Sequence, residues 1–409
     1  MVGQTSKAEI VVVGDEVVAG KVVDTNSAVI ARQLAKIGIE TQTVVRVRDD
    51  EEAIKKAVAG ALVCSRLIFV CGGLGPTPDD KTLPAVAELI ERRLTVHQES
   101  LERIDRFMSR RGIKTPELAK RQALIIEGAT VFENPAGMVP GMVVEHQNST
   151  VVLLPGVPEE LVGILEGGVI SYLKERFSGQ RLTVALIRTA GLIESQIAPR
   201  VNRLVGHYQG VQVGYYPSVQ GLDFLISGAD KKAVAACAGK LKELFGARVY
   251  ADEDRNLEIV VGEILKARGL TLSTAESCTG GLIGDILTNV PGSSGYYLGG
   301  VVAYSNAIKM RVLGVKESTL KSYGAVSSQT VTEMVTGVCR VIGSDCGIAV
   351  SGIAGPGGGT KDKPVGLVYI GVAFKGSVKV ERHIFSGNRR VIKERAAYTA
   401  LDLLRRVLL

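Results

Sequence analysis

Residues 273–281 read STAESCTGG and set three possible nucleophiles side by side: Ser277, Cys278 and Thr279. An acid precedes them and two glycines follow. A Ser-His-Asp arrangement needs a histidine, and the whole chain holds only four, of which His383 alone lies in the last third. The last third contains no G-x-S-x-G elbow. A serine hydrolase here would therefore take a lysine as its base, and that lysine must be neutral when it acts, which burial or a nearby cation can arrange. Lys309, in AYSNAIKM just after an apolar run, fits a partly buried amine; the alternative is a lysine on a helix surface. Ser294, in the glycine-bounded turn PGSSGYY, has backbone N–H groups around it that could receive an oxyanion, or it is a plain turn serine. Ser277 either joins the chemistry or caps the helix that follows. Cys278 is reactive by type but has no histidine near it in sequence.

A second constellation lies near the start. Residues 72–82, GGLGPTPDDKT, join a glycine loop to Asp79 and Asp80. Glycines let backbone N–H groups approach an anion, and paired carboxylates at a strand end can hold a hard divalent ion that bridges phosphates. The alternative is that the two acids only open a helix, where acids are favoured. Neither G-x-x-x-x-G-K-[ST] nor G-x-G-x-x-G is present here, which argues against a P-loop ATPase and a dinucleotide-dependent dehydrogenase.

The elements that must position these residues follow from periodicity. Short apolar runs alternate with helical patterns over the first ~170 residues, the β-α-β order of a parallel sheet covered by helices. The next stretch reads β-α-β-β-α-β, a small α+β domain. From NLEIVVGEILKARGL onward a second α/β unit begins. The expected domains are 1–174, 175–253 and 254–409. The chain has 409 residues, 46% hydrophobic and 22% charged, an ordinary globular balance. Its formal charge of +7 is dispersed, without the basic run that a nucleic-acid footprint needs. Six scattered cysteines form no C-x-x-C pair, a pattern of reduced thiols. No signal segment or membrane span is legible, so a cytoplasmic protein is expected.

GDEVVAGKVVDTNS (14–27), CGGLGPTPDDKT (71–82), NPAGMVPGM (134–142) and LLPGVPEEL (153–161) resemble the N-terminal domain of the CinA family. TAESCTGGL (274–282), PGSSGYY (291–297), GGVVAYSNAIK (299–309), SGIAGPGGGTKDKPVG (351–366) and FSGNR (385–389) resemble its C-terminal domain. The resemblance implies an N-terminal molybdopterin-binding-like α/β domain, a small KH-like α+β linking domain and a C-terminal α/β amidohydrolase domain. It implies deamidation of nicotinamide mononucleotide (NMN) to nicotinic acid mononucleotide and ammonia, with no cofactor. It also implies metal-dependent cleavage of ADP-ribose by the first domain, with Mg, Mn or Co as the divalent ion. By motif, Ser294 falls on the nucleophile, Lys309 on the base, Ser277 on a second catalytic serine and Tyr304 on a supporting tyrosine. Ser351, Arg389, Thr279 and Gly280 fall on substrate-holding positions. In the first domain Gly72, Gly73, Gly75 and Asn26 would touch ligand, and Asp79, Asp80 and Asp15 would hold metal. The middle segment has no convincing GXXG loop for RNA, so a spacer or dimerisation role and a homodimer are expected. The competing reading is a non-catalytic nucleotide- or partner-binding protein linked to competence or DNA repair.

Overall fold

A computed structural model describes residues 7–177 and 183–409. The chain divides into two compact units, residues 1–184 and 185–409. The first is built on strands β1 (Lys7–Val13), β2 (Glu40–Val47), β3 (Leu67–Cys71), β6 (Thr130–Phe132), β7 (Gly141–His146) and β8 (Ser149–Leu154), in the order β2-β1-β3-β8-β7-β6. A separate ribbon pairs β4 (Leu94–Val96) with β5 (Leu124–Ile126). Successive residues of β1 and β3 point to opposite faces, as a pleated strand requires. Val11, Val13, Ile68 and Val70 enter one apolar cluster, and Ile10, Val12, Leu67 and Phe69 the other. Burial on both faces explains why these strands read as continuous apolar runs. The parallel sheet expected from the β-α-β order holds for β2, β1, β3 and β8, while at one edge β7 runs antiparallel to β8, and β6 antiparallel to β7. The link from β7 to β8 is only His146 to Ser149, too short for a parallel crossover.

The second unit carries two sheets. The smaller has order β10-β11-β9-β12, from β9 (Thr183–Thr189), β10 (Val211–Pro217), β11 (Leu222–Gly228) and β12 (Val249–Ala251). Helices Glu194–Val205 and Lys231–Phe245 complete the expected β-α-β-β-α-β order. They close a core around Phe224, which stacks on Phe245. The larger sheet has order β14-β13-β15-β16-β17, from β13 (Leu272–Glu276), β14 (Tyr297–Val302), β15 (Cys346–Gly352), β16 (Leu367–Phe374) and β17 (Ser377–Ile384). β13 lies between β14 and β15 and is parallel to both. Helices Leu257–Ala267 and Arg389–Leu408 cover one face. Helix Ser328–Ile342 covers the other, against small residues such as Ala275, Ala349 and Gly347.

Inside the second unit, the two sheets are tied together by a buried arginine. Arg405 bonds the Asp402 carboxylate through Nε and Nη2 (3.0 and 2.7 Å), and it donates onward to the carbonyls of Ala247 and Val249. Both side chains of the pair are 3% exposed. Removing one member strands the other charge. Asp402→Ala is expected to cost about 3–5 kcal/mol, read as a lowered midpoint in denaturant unfolding followed by circular dichroism.

Candidate active site

In a parallel sheet, ligands collect beyond the carboxyl ends of strands where the chain leaves to opposite sides. β13 is such a place, because β14 lies on one side of it and β15 on the other. Ser277 directly follows β13, Ala303 and Tyr304 follow β14, and Ser351 ends β15. Five of the residues placed by motif, Ser277, Tyr304, Lys309, Ser351 and Arg389, line one cavity of about 230 Å3 together with Asn306.

Lys309 sits on the short helix Asn306–Arg311, whose entry is capped by the Ser305 hydroxyl accepting from Ile308 N–H at 3.3 Å. It is a helix lysine, but only 1% of it is exposed. Its Nζ lies 3.0 Å from Ser277 Oγ, 2.7 Å from the Ala303 carbonyl and 3.4 Å from the Tyr304 carbonyl. No carboxylate bonds it among the described residues, and burial holds its pKa below the ordinary 10.5. A neutral amine has two N–H donors and one lone pair. Two carbonyls can take the donors, which leaves the lone pair for the serine hydroxyl.

Glu276 holds the serine turn in place. Its buried carboxylate accepts from the N–H groups of Gly281 and Ile283 (each 3.0 Å) and Gly284 (2.9 Å). Helix Leu282–Thr288 has no side-chain cap at Gly281, so this carboxylate does the capping from the end of β13. Gly280 and Gly281 take φ of +66° and +97°, the left-handed region the tight turn requires. Sequence reasoning noted the acid but gave it no role; the signal was an acid followed by a Gly-Gly turn and a helix without a Ser, Thr or Asp cap.

Arg389 donates to the Gly355 carbonyl at 2.7 Å and to the Tyr304 hydroxyl at 2.9 Å, so it joins the glycine loop to the rim of the cavity. Ser351 Oγ donates to the Ala325 carbonyl at 2.7 Å. Thr279 is fully buried, its hydroxyl has no partner among the described residues, and it does not line the cavity. Cys278 is also buried, and that burial pushes its thiol up to about 12, so a thiolate is disfavoured there.

Residues 254–408 match the family model described as "CinA C-terminal domain", and residues 9–175 match "Probable molybdopterin binding domain". A protein of Caldicellulosiruptor saccharolyticus whose name includes "competence-damage inducible protein" is 39% identical over 410 residues, spanning 98% of this chain and 99% of the relative. A "CinA-like protein" of Dictyoglomus thermophilum is 38% identical over 409 residues, again 98% and 99% of the two chains. The chain belongs to the CinA family. The crystal structure of the competence/damage inducible protein CihA from Agrobacterium tumefaciens is 40% identical to it, covering 37% of this chain and 93% of that one, with a TM-score of 0.37.

The motif serine expected as nucleophile in this CinA-family chain also falls outside the cavity. Ser294 is exposed in the short turn Ser293–Gly295, before β14, whereas Lys309 comes after β14. β14, six residues long at about 3.3 Å each, runs between the two positions, and the serine hydroxyl that Lys309 Nζ meets is that of Ser277. Within one chain, the expected Ser294–Lys309 pair is therefore corrected to Ser277–Lys309.

In the first unit of this CinA-family chain, the glycine loop follows β3, next to β1 at the switch of that sheet. Gly72 takes φ of +103°, and a Cβ there would strike the Val13 carbonyl. Asn26 donates from Nδ2 to the Gly156 carbonyl at 2.7 Å, while its buried Oδ1 has no partner among the described residues. Thr82 Oγ1, beneath Gly73, is likewise buried and unpartnered. The acids are less concentrated than expected. Asp80 Oδ2 accepts from Thr77 N–H (2.9 Å) and Oγ1 (2.5 Å), beside Gly75, whereas Asp79 and Asp15 are exposed. Asp15 N–H donates to Asp49 at 2.8 Å. Burial raises the Asp49 pKa, and the negative charges of Glu16, Asp15 and Asp79 add to it. Among the described residues no group of three His, Cys, Asp or Glu side chains is arranged to hold a metal ion, so Asp15, Asp79 and Asp80 do not fit a resident ion by themselves. No helix of the described residues is long and apolar enough to cross a membrane.

The lowered Lys309 pKa has a consequence for stability. Between the lowered value and 10.5 the unfolded chain binds more protons than the folded one. The burden of burying the amine is therefore full below that window and relieved as pH rises through it. Lys309→Met removes the dependence. The stability of the unsubstituted chain relative to this variant is expected to rise with pH across the window, measured by denaturant unfolding at a series of pH values.

Proposed function

We propose that the second unit hydrolyses the carboxamide of NMN with Ser277 as nucleophile and Lys309 as base. The observation that carries this reading is the 3.0 Å contact between a serine hydroxyl and a buried lysine amine whose pKa is depressed. The family membership and the motif resemblance to NMN amidohydrolases support the substrate. The guanidinium of Arg389 at the cavity rim suits a phosphate, which it can hold through paired donors.

Neutral Lys309 takes the Ser277 proton as Oγ bonds to the carboxamide carbon, and the carbonyl electrons move onto oxygen. The oxyanion collapses, the C–N bond breaks, and Lys309 returns the proton to the departing nitrogen, releasing ammonia. Water then adds to the acyl-serine. Lys309 takes one proton of that water and passes it to Ser277 Oγ as the ester bond breaks; the product leaves as the carboxylic acid and gives its remaining proton to solvent. Ammonia release from NMN is expected to fall on the order of 1,000-fold or more in Ser277→Ala and in Lys309→Met. In Ser294→Ala it stays near the unsubstituted rate. Full activity in Ser277→Ala would refute the mechanism, and no turnover by the unsubstituted chain would favour a binding role instead. Turnover should rise with pH through the lowered Lys309 value, because only the free amine accepts the proton.

The first unit is proposed to take ADP-ribose at the glycine loop, with its pyrophosphate against the loop N–H groups and a ligand donor meeting the unpartnered Asn26 Oδ1. That orphaned oxygen is what supports a ligand here. No step is assigned to an ion. Asn26→Leu is expected to weaken ADP-ribose binding on the order of tenfold by calorimetry, run with and without Mg2+, Mn2+ or Co2+. Unchanged binding in every condition rejects this use of the loop.

A further inference from the structure

The second unit holds another cavity, of about 640 Å3, and none of the residues placed in the hydrolytic site lines it. Small-molecule sites commonly enclose roughly 300–1,000 Å3. One wall comes from the smaller sheet: the turn after β9 and the β10–β11 turn Pro217–Leu222. The other comes from the end of β17 and from the helix Arg389–Leu408. Arg395, Tyr398 and Asp402 lie at helical spacing on one side of that helix.

The charges in this cavity are unevenly used. Arg406 is held by Asp402 at 2.8 Å and by Glu381 at 3.3 Å, and Asp402 also binds Arg405, so both of these acids are engaged. Arg395 has no carboxylate partner among the described residues. One of its nitrogens, Nη1, donates to the Ser386 carbonyl and hydroxyl at 3.1 and 3.2 Å, which leaves further donors of its planar fork open. Arg248 also has no carboxylate partner among the described residues, and it lies over Gly191, where a Cβ would collide with its guanidinium. Against these two cations stands one unengaged lining acid, Glu194.

The second feature is aromatic. His383 and Phe385 both line the cavity, and their rings are stacked with centroids 5.3 Å apart and planes within 4°. Burial lowers the His383 pKa, and Arg406 and Arg248 lower it further against the opposing Glu381, which favours a neutral ring. Two parallel flat rings at the edge of a cavity offer a third flat ring a place to stack. The Ser386 contact fixes the Arg395 guanidinium one residue from Phe385, so an anion site adjoins the ring site.

We propose that this cavity binds a planar heterocycle that carries a phosphate, such as a nucleoside monophosphate. The ring lies on His383 and Phe385, and the phosphate lies between Arg395 and Arg248, where Arg forks match phosphate oxygens. A ligand seated there touches both sheets of the unit at once. The site shares no residue with the hydrolytic cavity, so its failure leaves the deamidation reading untouched.

The test uses the full-length chain with AMP as probe, read by hydrogen exchange and by titration calorimetry. AMP is expected to protect residues 217–222 and 383–386 from exchange. Arg395→Gln and Arg248→Gln are each expected to weaken that protection on the order of tenfold in AMP concentration, with ammonia release from NMN unchanged. Arg248 is exposed, so its variant keeps the test valid should Arg395→Gln fold poorly. Ribose 5-phosphate, which lacks the base, should protect more weakly. The proposal is overturned if AMP protects neither segment or protects only the first unit or the Ser277 cavity. Unchanged protection in both variants, or equal protection by ribose 5-phosphate, also overturns it.

Discussion

An amine buried to 1% exposure, with carbonyls and a hydroxyl around it in place of a carboxylate, gives up its proton more readily than a lysine in water. Lys309 is in that position, and the chemistry assigned to the second unit follows from it. A carboxylate in place of the Ala303 carbonyl would fix the ammonium form and remove the base. Full solvent exposure would do the same, because water stabilises the charge. The hydroxyl beside it must be free of competing acceptors, and Ser277 meets that condition. Its backbone N–H is bound to the Val350 carbonyl at 2.9 Å, which holds the residue in line with β15, and its Oγ bonds only the lysine among the described residues.

The sheet supplies this arrangement through direction rather than through sequence proximity. Ser277 and Lys309 are far apart in sequence, but each follows the carboxyl end of one of two neighbouring parallel strands, β13 and β14. The register pairs Glu276 with Val302, so the residues that leave the two strands emerge side by side. Glu276 then binds the next turn and the helix after it. Its carboxylate takes three backbone N–H groups that the helix start would otherwise leave open. The buried Cys278 follows the same logic in reverse. Desolvation raises its thiol by more than the Lys309 and Lys393 charges lower it, so the most nucleophilic atom type in the motif stays protonated.

Much of this was legible in the sequence, and the residues show where legibility ends. The β-α-β-β-α-β order of the middle segment came from alternating and helical apolar patterns, which are local. Ser277, Tyr304, Ser351, Lys309 and Arg389 were found by motif, and they converge. For Lys309 the sequence left a helix surface and a buried site both open. It is a helix residue and buried, because the face its helix turns to the sheet is set by packing and not by spacing. Ser294 is the instructive exception. Its glycine-bounded turn looks suitable by itself, yet the apolar run between it and Lys309 was readable as a strand, and a strand puts its two ends far apart. The two adjacent aspartates of the first unit misled in a similar way. Their types suggest a metal pair, but the loop uses Asp80 to bind Thr77 and turns Asp79 to solvent. The uncapped helix served by Glu276 was also readable, as an acid ahead of glycines.

The two units put their candidate sites at the same kind of place, beyond the carboxyl ends of strands that flank a switch in sheet order, yet they prepare different chemistry. At β13 the groups that face the cavity are matched to each other, lysine to serine and carbonyls, and glutamate holds three amides behind them; the unpartnered Thr279 hydroxyl lies outside the cavity. Such a closed set is ready to move a proton without first reorganising. At β3 the buried polar atoms are unmatched. Asn26 Oδ1 and Thr82 Oγ1 lie buried with nothing to bond among the described residues. An unmatched buried polar atom costs free energy until something fills it, so that loop is built to gain from a ligand more than to act alone. A reacting group at β3 must therefore come with what binds there, whereas at β13 it is already folded into the chain.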